Sequence, residues 1–229
     1  MHSITIVSVS TGDVALLSNG ALDALETHGN VIFRTERHPV ARYLKERGTL
    51  FESLDGLYEE TETFDAFNDA AAEKLIDAAE KTDVLYAVAD AAMDSTVAAL
   101  LRLAGEKEKI GILPGISHAA RCLAMAQADA QDIRLSAAET FLNADALNPR
   151  YSCFLSELHS AACAGACKIK LMQLLDDDTE IFFFSGEDDG SLQMRRLPLY
   201  ALDRQKRYDH LSAFLYVAKP LEERKRFST

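Results

Sequence analysis

The residues able to do chemistry in this chain stand at the ends of apolar runs, not in a catalytic motif. Ser3–Val9 ends at Ser10-Thr11-Gly12-Asp13, Val84–Val88 at Ala89-Asp90-Ala91, and Ile110–Leu113 at Pro114-Gly115-Ile116-Ser117-His118. In the last of these a buried strand, a tight turn and Ser117, placed to cap an alanine- and leucine-rich helix, make a strand-to-helix junction. Backbone N–H groups converge at such junctions, at the carboxyl ends of sheet strands where open α/β folds bind small ligands. If the three strands are neighbours, their ends line one crevice, which is the expected functional site. Asp13 and Asp90 are its carboxylates, and each reads equally as a ligand contact or as a cap or turn residue. His118 faces the crevice or the helix surface. His38 reads as a turn residue before Pro39, not as a base. Nucleophile-elbow, Walker and zincin patterns are absent. Val7–Gly12 sits where a glycine-rich nucleotide fingerprint would lie but carries Ser8 and Ser10.

The elements that position these residues alternate through the first half. A β-branched strand, Ser3–Val9, precedes a helix with Leu22 and Leu25 on one face and Gly29 at its end. Val31–Arg34 is a strand, and His38-Pro39 opens a helix carrying Val40, Tyr43 and Leu44 and closed by Gly48. Leu50–Leu54 reads as a strand and Glu59–Thr63 as a solvated acidic loop. Thr63 caps a helix whose Phe64, Phe67, Ala71, Leu75 and Ala78 keep helical spacing to Lys81, with Asp65 in its first turn. Val84–Val88 is a strand, and a helix from Ser95 or Thr96 to Ala104 stops at Gly105. Strict alternation means a parallel sheet with right-handed crossovers and helices on both faces. After the Ser117–Gln127 helix the pattern changes. Tyr151–Leu155 and Lys168–Leu174 alternate, Glu157–Ala166 looks helical, and Thr179–Ser185 is a buried strand whose Phe182-Phe183-Phe184 belongs to a core. Gly186–Gly190 reads as a hairpin turn before a strand at Ser191–Leu197, and Ala213–Val217 supplies the last strand. The expected organisation is an N-terminal α/β domain at 1–127 and a C-terminal mixed α/β domain at 128–229.

Composition narrows the class. The 229 residues are 48% hydrophobic and 26% charged, as in a globular protein with an ample core. A net charge of −12 argues against a nucleic-acid surface, despite basic residues at Arg195-Arg196 and Arg204–Arg207. No apolar run is long enough for a membrane span. Met1-His2-Ser3 leads directly into a strand, so no signal peptide is expected. Cys122, Cys153, Cys163 and Cys167 read as reduced, mostly buried thiols of a cytoplasmic protein. Cys163 and Cys167 share a helix face, but a metal site needs more ligands, and no His-Cys constellation is read around them; no metal is expected.

Several blocks resemble the tetrapyrrole (corrin and porphyrin) methylases: Ile4–Asp13, Leu85–Val88 and Ile112–Ser117. Arg34-Thr-Glu-Arg-His-Pro-Val40, Phe51–Tyr58, Leu147–Arg150 and Leu197–Arg204 look like one branch, typically fused to a MazG-type nucleotide pyrophosphohydrolase. The segment Lys219–Arg226 is similar to the linker leading into that second enzyme. The chain is thus expected to be a truncated form or a stand-alone relative.

The resemblance implies a two-domain α/β fold, S-adenosylmethionine in the cleft between domains, and a homodimer. It places Thr11, Gly12 and Asp13 on the first cofactor loop and Ala89, Asp90 and Ala91 on the loop after the third motif strand. Ser117 and His118 fall at the Pro-Gly helix start, and Met172 and Pro198 in the second domain's share of the pocket. Backbone amides would hold the methionine carboxylate and adenine, with apolar side chains packing the ring. The reaction implied is methyl transfer to a small-molecule acceptor, of the tetrapyrrole class by family inheritance. It depends on in-line placement more than on acid–base groups. The loops depart from the family pattern. Gly-x-Gly-Pro-Gly-Asp is replaced by a loop with Ser8, Ser10 and Thr11, and the third-strand loop is Ala89-Asp90-Ala91-Ala92. Side chains where glycine permits close approach narrow a pocket. They favour the alternative of a non-catalytic ligand-sensing or dimerisation module for a pyrophosphohydrolase, whereas the intact Pro114–Ser117 turn favours the methyltransferase. A phosphate-binding enzyme is disfavoured, because no lysine sits at a strand-end loop.

Overall fold

A computed structural model describes residues 2–9, 14–105, 109–128, 132–144, 148, 150–187, 191–209 and 211–218. The chain divides into two compact units, the first reaching His118 and the second starting at Ala119. The Lys219–Arg226 segment lies outside the described residues.

In the first unit, β1 (Ser3–Ser8), β2 (Val31–Phe33), β3 (Glu52–Ser53), β4 (Val84–Val88) and β5 (Lys109–Leu113) form a sheet of order β3-β2-β4-β1-β5. Every pairing in it is parallel. Parallel neighbours require crossovers, supplied by α1 (Asn19–Thr27), α2 (Pro39–Glu46), α3 (Leu57–Glu60), α4 (Phe64–Ala79) and α5 (Ser95–Ala104). The central strand β4 is buried on both faces. Val84, Tyr86 and Val88 pack with the α4 and α5 side chains, while Leu85 and Ala87 pack with α1 and α2. That two-sided burial is why its sequence is a continuous apolar run.

Side-chain caps set the helix starts: Ser18, Thr63 and Asp94 accept from the third amide of α1, α4 and α5. His38 Nδ1 accepts from the Val40 amide at 3.2 Å, with Pro39 at the first helical position. It is therefore a buried cap, as its place before Pro39 predicts. Gly48 and Gly105 end α2 and α5 with φ of +77° and +58°, a region costly for other residues.

The Arg34–Val40 block has a structural role. Arg34, at the carboxyl end of β2, is 2% exposed and ion-pairs with Asp94. It also donates to Thr96 Oγ1 at 3.2 Å, and Thr96 Oγ1 in turn donates to Asn68 Oδ1 at 2.8 Å. The guanidinium lies 5.3 and 5.4 Å from the ring centres of Phe64 and Phe67. One buried cation thus joins β2 to α4 and α5.

The second unit holds β6 (Ile133–Ala137), α7 (Ala138–Asn143), β7 (Ser152–Ser156), α8 (Ala161–Leu171), β8 (Glu180–Gly186), β9 (Leu192–Pro198) and β10 (Ala213–Tyr216). Its sheet order is β6-β7-β10-β8-β9, with β6 and β7 parallel and the other pairs antiparallel. β8 and β9 form the expected hairpin, Gly186 facing Leu192, and residues 188–190 of its turn lie outside the described set. Phe182, Phe183 and Phe184 are buried, as the core reading requires. The fold class is α/β, a parallel sheet followed by a mixed one. All four cysteines are buried thiols, and burial pushes the Cys153 thiol up to about 12.

Five local expectations are corrected. The strand at 50–54 contracts to Glu52–Ser53, because it pairs on one side only and Leu50 is 89% exposed. Glu59 and Glu60 belong to the helical turn α3, not to a loop. β5 is an edge strand with Ile112 half exposed, not a buried one. The helix read at 157–166 starts instead at Ala161, where Ser160 caps it, after Glu157 has turned the chain with φ +58°. Lys168–Leu174 is not a strand. Its first residues continue α8, with Lys168 on Asp203 at 2.5 Å and Lys170 donating to the Phe141 and Leu142 carbonyls at the end of α7.

Arg34→Met leaves the buried Asp94 carboxylate unpaired and is expected to destabilise by roughly 3–5 kcal/mol, read as a lower urea midpoint. Adding Asp94→Asn, which keeps a good helix cap, removes the stranded charge. The double variant should regain part of that loss; no regain would mean that the ion pair is not the source of the cost.

Candidate functional site

The strands whose ends carry the predicted site are adjacent, in the order β4-β1-β5. Because all are parallel, their carboxyl ends meet. Ser8, the last residue of β1, accepts through Oγ from the Ala91 amide at 3.0 Å. Asp90, just past β4, is buried and uses both carboxylate oxygens. Oδ1 accepts from the Ala92 amide at 3.1 Å, and Oδ2 accepts from the His118 amide at 2.8 Å. His118 is the first residue of α6 (His118–Ala126), so its amide is one of the donors a helix start leaves without an intrahelical partner. A carboxylate there is also favoured by the helix dipole. Of the two readings left open for Asp90, the structure supplies the cap.

Gly115 explains the turn between β5 and α6. A Cβ built there would lie 2.5 Å from the Ser8 carbonyl oxygen and 3.0 Å from Ser8 Cβ. The backbone of the turn therefore rests directly on the end of β1, and glycine is required by contact.

The predicted residues divide accordingly. Asp90, Ala91 and His118 come together with Ser8, which the sequence marked only as a departure from glycine. Ala89 and Ser117 are half-buried beside them in the chain. His118 is buried, not on the helix surface. Thr11, Gly12 and Asp13 lie outside the described residues. Met172 follows α8 and Pro198 ends β9, both in the second unit. In the chain Asp90 is flanked by the small side chains of Ala89, Ala91 and Ala92, of which Ala91 is buried and Ala92 exposed. The site offers amides, small side chains and one buried carboxylate. This suits binding and orientation, with no nucleophile–base pair among its described residues. Cys163, by contrast, is not without ligand-type neighbours as expected, since His159 and Glu139 converge on it.

Gly115→Ala should force the turn off Ser8 and cost about 1–3 kcal/mol, the usual range for overpacking. Gly111→Ala, whose Cβ would meet nothing within 4 Å, is the control and should be near neutral. Equal urea midpoints for the two variants would remove the close contact from the account.

Residues 3–183 match the family described as tetrapyrrole (corrin/porphyrin) methylases. Over 226 residues the chain is 27% identical to YabN of Bacillus subtilis (strain 168), a protein described as uncharacterized, covering 97% of this chain and 46% of that one. The chain thus spans about half the length of this curated relative. The uroporphyrin-III-C-methyltransferase of Thermus thermophilus shares the fold at TM-score 0.64 and 15% identity, over 95% of this chain and 92% of the other. The precorrin-6Y methylase of Archaeoglobus fulgidus does so at 0.63 and 12%, over 96% and 99%. The methyltransferase CobJ does so at 0.65 and 15%, over 95% of each. With the family match running over residues 3–183, the chain belongs to the tetrapyrrole methylase family.

Proposed function

We propose that this chain is an S-adenosylmethionine-dependent methyltransferase whose donor site is built on the ends of β4, β1 and β5. The observation that carries the reading is the junction of Ser8, Asp90 and His118 at three adjacent strand ends, closed by Gly115 on Ser8. Small side chains at Ala89, Ala91 and Ala92, the last of them exposed, support the reading. When bound, the cofactor supplies a methyl group activated on a sulfonium. The chain's part is positional. Ala89–Ala91 and Ser117–His118 would hold the donor's polar ends, and Asp90 fixes the start of α6 so that these groups stay in register. Holding donor and acceptor in line supplies much of the barrier reduction for such a transfer. The acceptor is a small molecule, of the tetrapyrrole class by family, and a homodimer is the proposed assembly.

One observation favours a second reading. The amides of Ala91, Ala92 and His118 are already occupied by Ser8 and Asp90. In that reading the chain is a non-catalytic ligand-sensing or dimerisation module accompanying a MazG-type pyrophosphohydrolase, in keeping with its spanning 46% of YabN.

Calorimetric titration with S-adenosylmethionine and S-adenosylhomocysteine separates the two. Micromolar binding is expected. Ser8→Gly, which frees the Ala91 amide, should tighten it by up to roughly tenfold, the worth of one neutral hydrogen bond. No heat and no thermal shift in either protein would leave the second reading standing.

A further inference from the structure

The second unit carries a cluster that the methyltransferase reading does not use. Glu139 stands in the first turn of α7, His159 in the segment after β7, and Cys163 in the first turn of α8. One ligand atom from each lies within 4.8 Å of the other two, and His159 Nε2 is 3.3 Å from Glu139 Oε1.

The scaffold beneath these side chains is fixed. Ser160 Oγ accepts from the Cys163 amide at 3.1 Å, which sets the thiol in the first turn of α8. His159 is held by its own amide donating to the Glu157 carbonyl at 2.8 Å and by the Leu158 amide on the Ser212 carbonyl at 2.9 Å. Lys170 ties the end of α8 to the last carbonyls of α7.

The donor set is chemically selective. Thiolate sulfur, imidazole nitrogen and carboxylate oxygen together suit zinc, and a zinc centre with three protein ligands keeps one position open. Access is available, since the His159 and Glu139 side chains are 28% and 35% exposed while Cys163 is buried behind them. Cys167 lies one helical turn further on and is buried. The pair does not lock into a disulfide within α8, because side chains four apart on a helix have Cβ atoms about 5–6 Å apart, beyond the roughly 3.5–4.5 Å a disulfide spans.

We propose that Glu139, His159 and Cys163 form a binding site for a thiophilic divalent cation of the zinc class, with a fourth position open to water or another ligand. Coordination releases the Cys163 thiol proton to solvent and leaves His159 neutral.

The test uses the full chain stripped with chelator and titrated with cobalt(II) as a spectroscopic stand-in. One equivalent should bind, with a thiolate-to-cobalt charge-transfer band and the visible bands of four-coordinate cobalt, and zinc should bleach both. Cys163→Ser should abolish the charge-transfer band. His159→Gln and Glu139→Gln, at partly exposed positions tolerant of change, should weaken zinc at least roughly tenfold, the loss typical even of an outer partner. Cys167→Ser should leave band and stoichiometry unchanged. Circular dichroism checks each fold, and if Cys163→Ser does not fold, the two glutamine variants carry the decision. No charge-transfer band in the parent protein at excess cobalt, or zinc affinity unchanged in both glutamine variants, would overturn the site.

Discussion

The contact between the backbone at Gly115 and the carbonyl of Ser8 constrains the first unit's functional end. A single added carbon would sit 2.5 Å from a backbone oxygen, well inside van der Waals separation, and the partner atom is backbone that cannot rotate away. The turn leaving β5 must therefore lie flat against the end of β1. This brings the start of α6 within reach of Asp90, and the His118 amide completes the tie at 2.8 Å. Either interaction alone is worth only a kcal/mol or so, about the value of one helix cap. Geometry, more than energy, makes them matter, because they bring the ends of non-consecutive strands to one point.

Much of this frame was readable from local chemistry. Val84–Val88 is a strand by its unbroken apolar run, and burial on both faces is the reason. Thr63 and the His38-Pro39 pair mark helix starts because their side chains and missing donor satisfy requirements visible within a few residues. Where the reading failed, tertiary context had decided. Lys168-Ile169-Lys170-Leu171 alternates like a strand, yet Cys163, Ala164, Cys167 and Leu171 all enter the core at helical spacing from the Ser160 cap. The longer period governs the shorter one. The apolar run of β5 predicted burial, but an edge strand has one neighbour, and nothing in its own residues announces which strand will be last.

The candidate site was legible in outline and not in detail, for the same reason. Ser8 and the Ala91 amide are 83 residues apart, and Asp90 and the His118 amide 28 apart. Sequence placed each at a strand end but could not pair them. Ser8 therefore registered only as a missing glycine, though its hydroxyl occupies an amide that glycine would leave open. The second unit repeats the lesson. His159, Cys163 and Cys167 recur every fourth residue, a spacing open to view, whereas Glu139 joins them only because α7 packs beside α8.

Occupied amides do not by themselves close a ligand site. Displacing Ser8 from Ala91 gives up one neutral hydrogen bond, about 0.5–1.5 kcal/mol net, or roughly a factor of ten at most in affinity. Micromolar binding corresponds to about 8 kcal/mol, so that handicap weakens a donor site without removing it. The carboxylate of Asp90 is a firmer obstacle to an anionic ligand group at the start of α6, because it already holds the helix's favoured anion position. A ligand's carboxylate would have to bind elsewhere along the strand ends, and a cationic centre would be better matched to Asp90. A sulfonium is such a centre. In the proposed donor complex, the buried carboxylate of Asp90 would disfavour a ligand carboxylate at the start of α6 and would be better matched to the sulfonium.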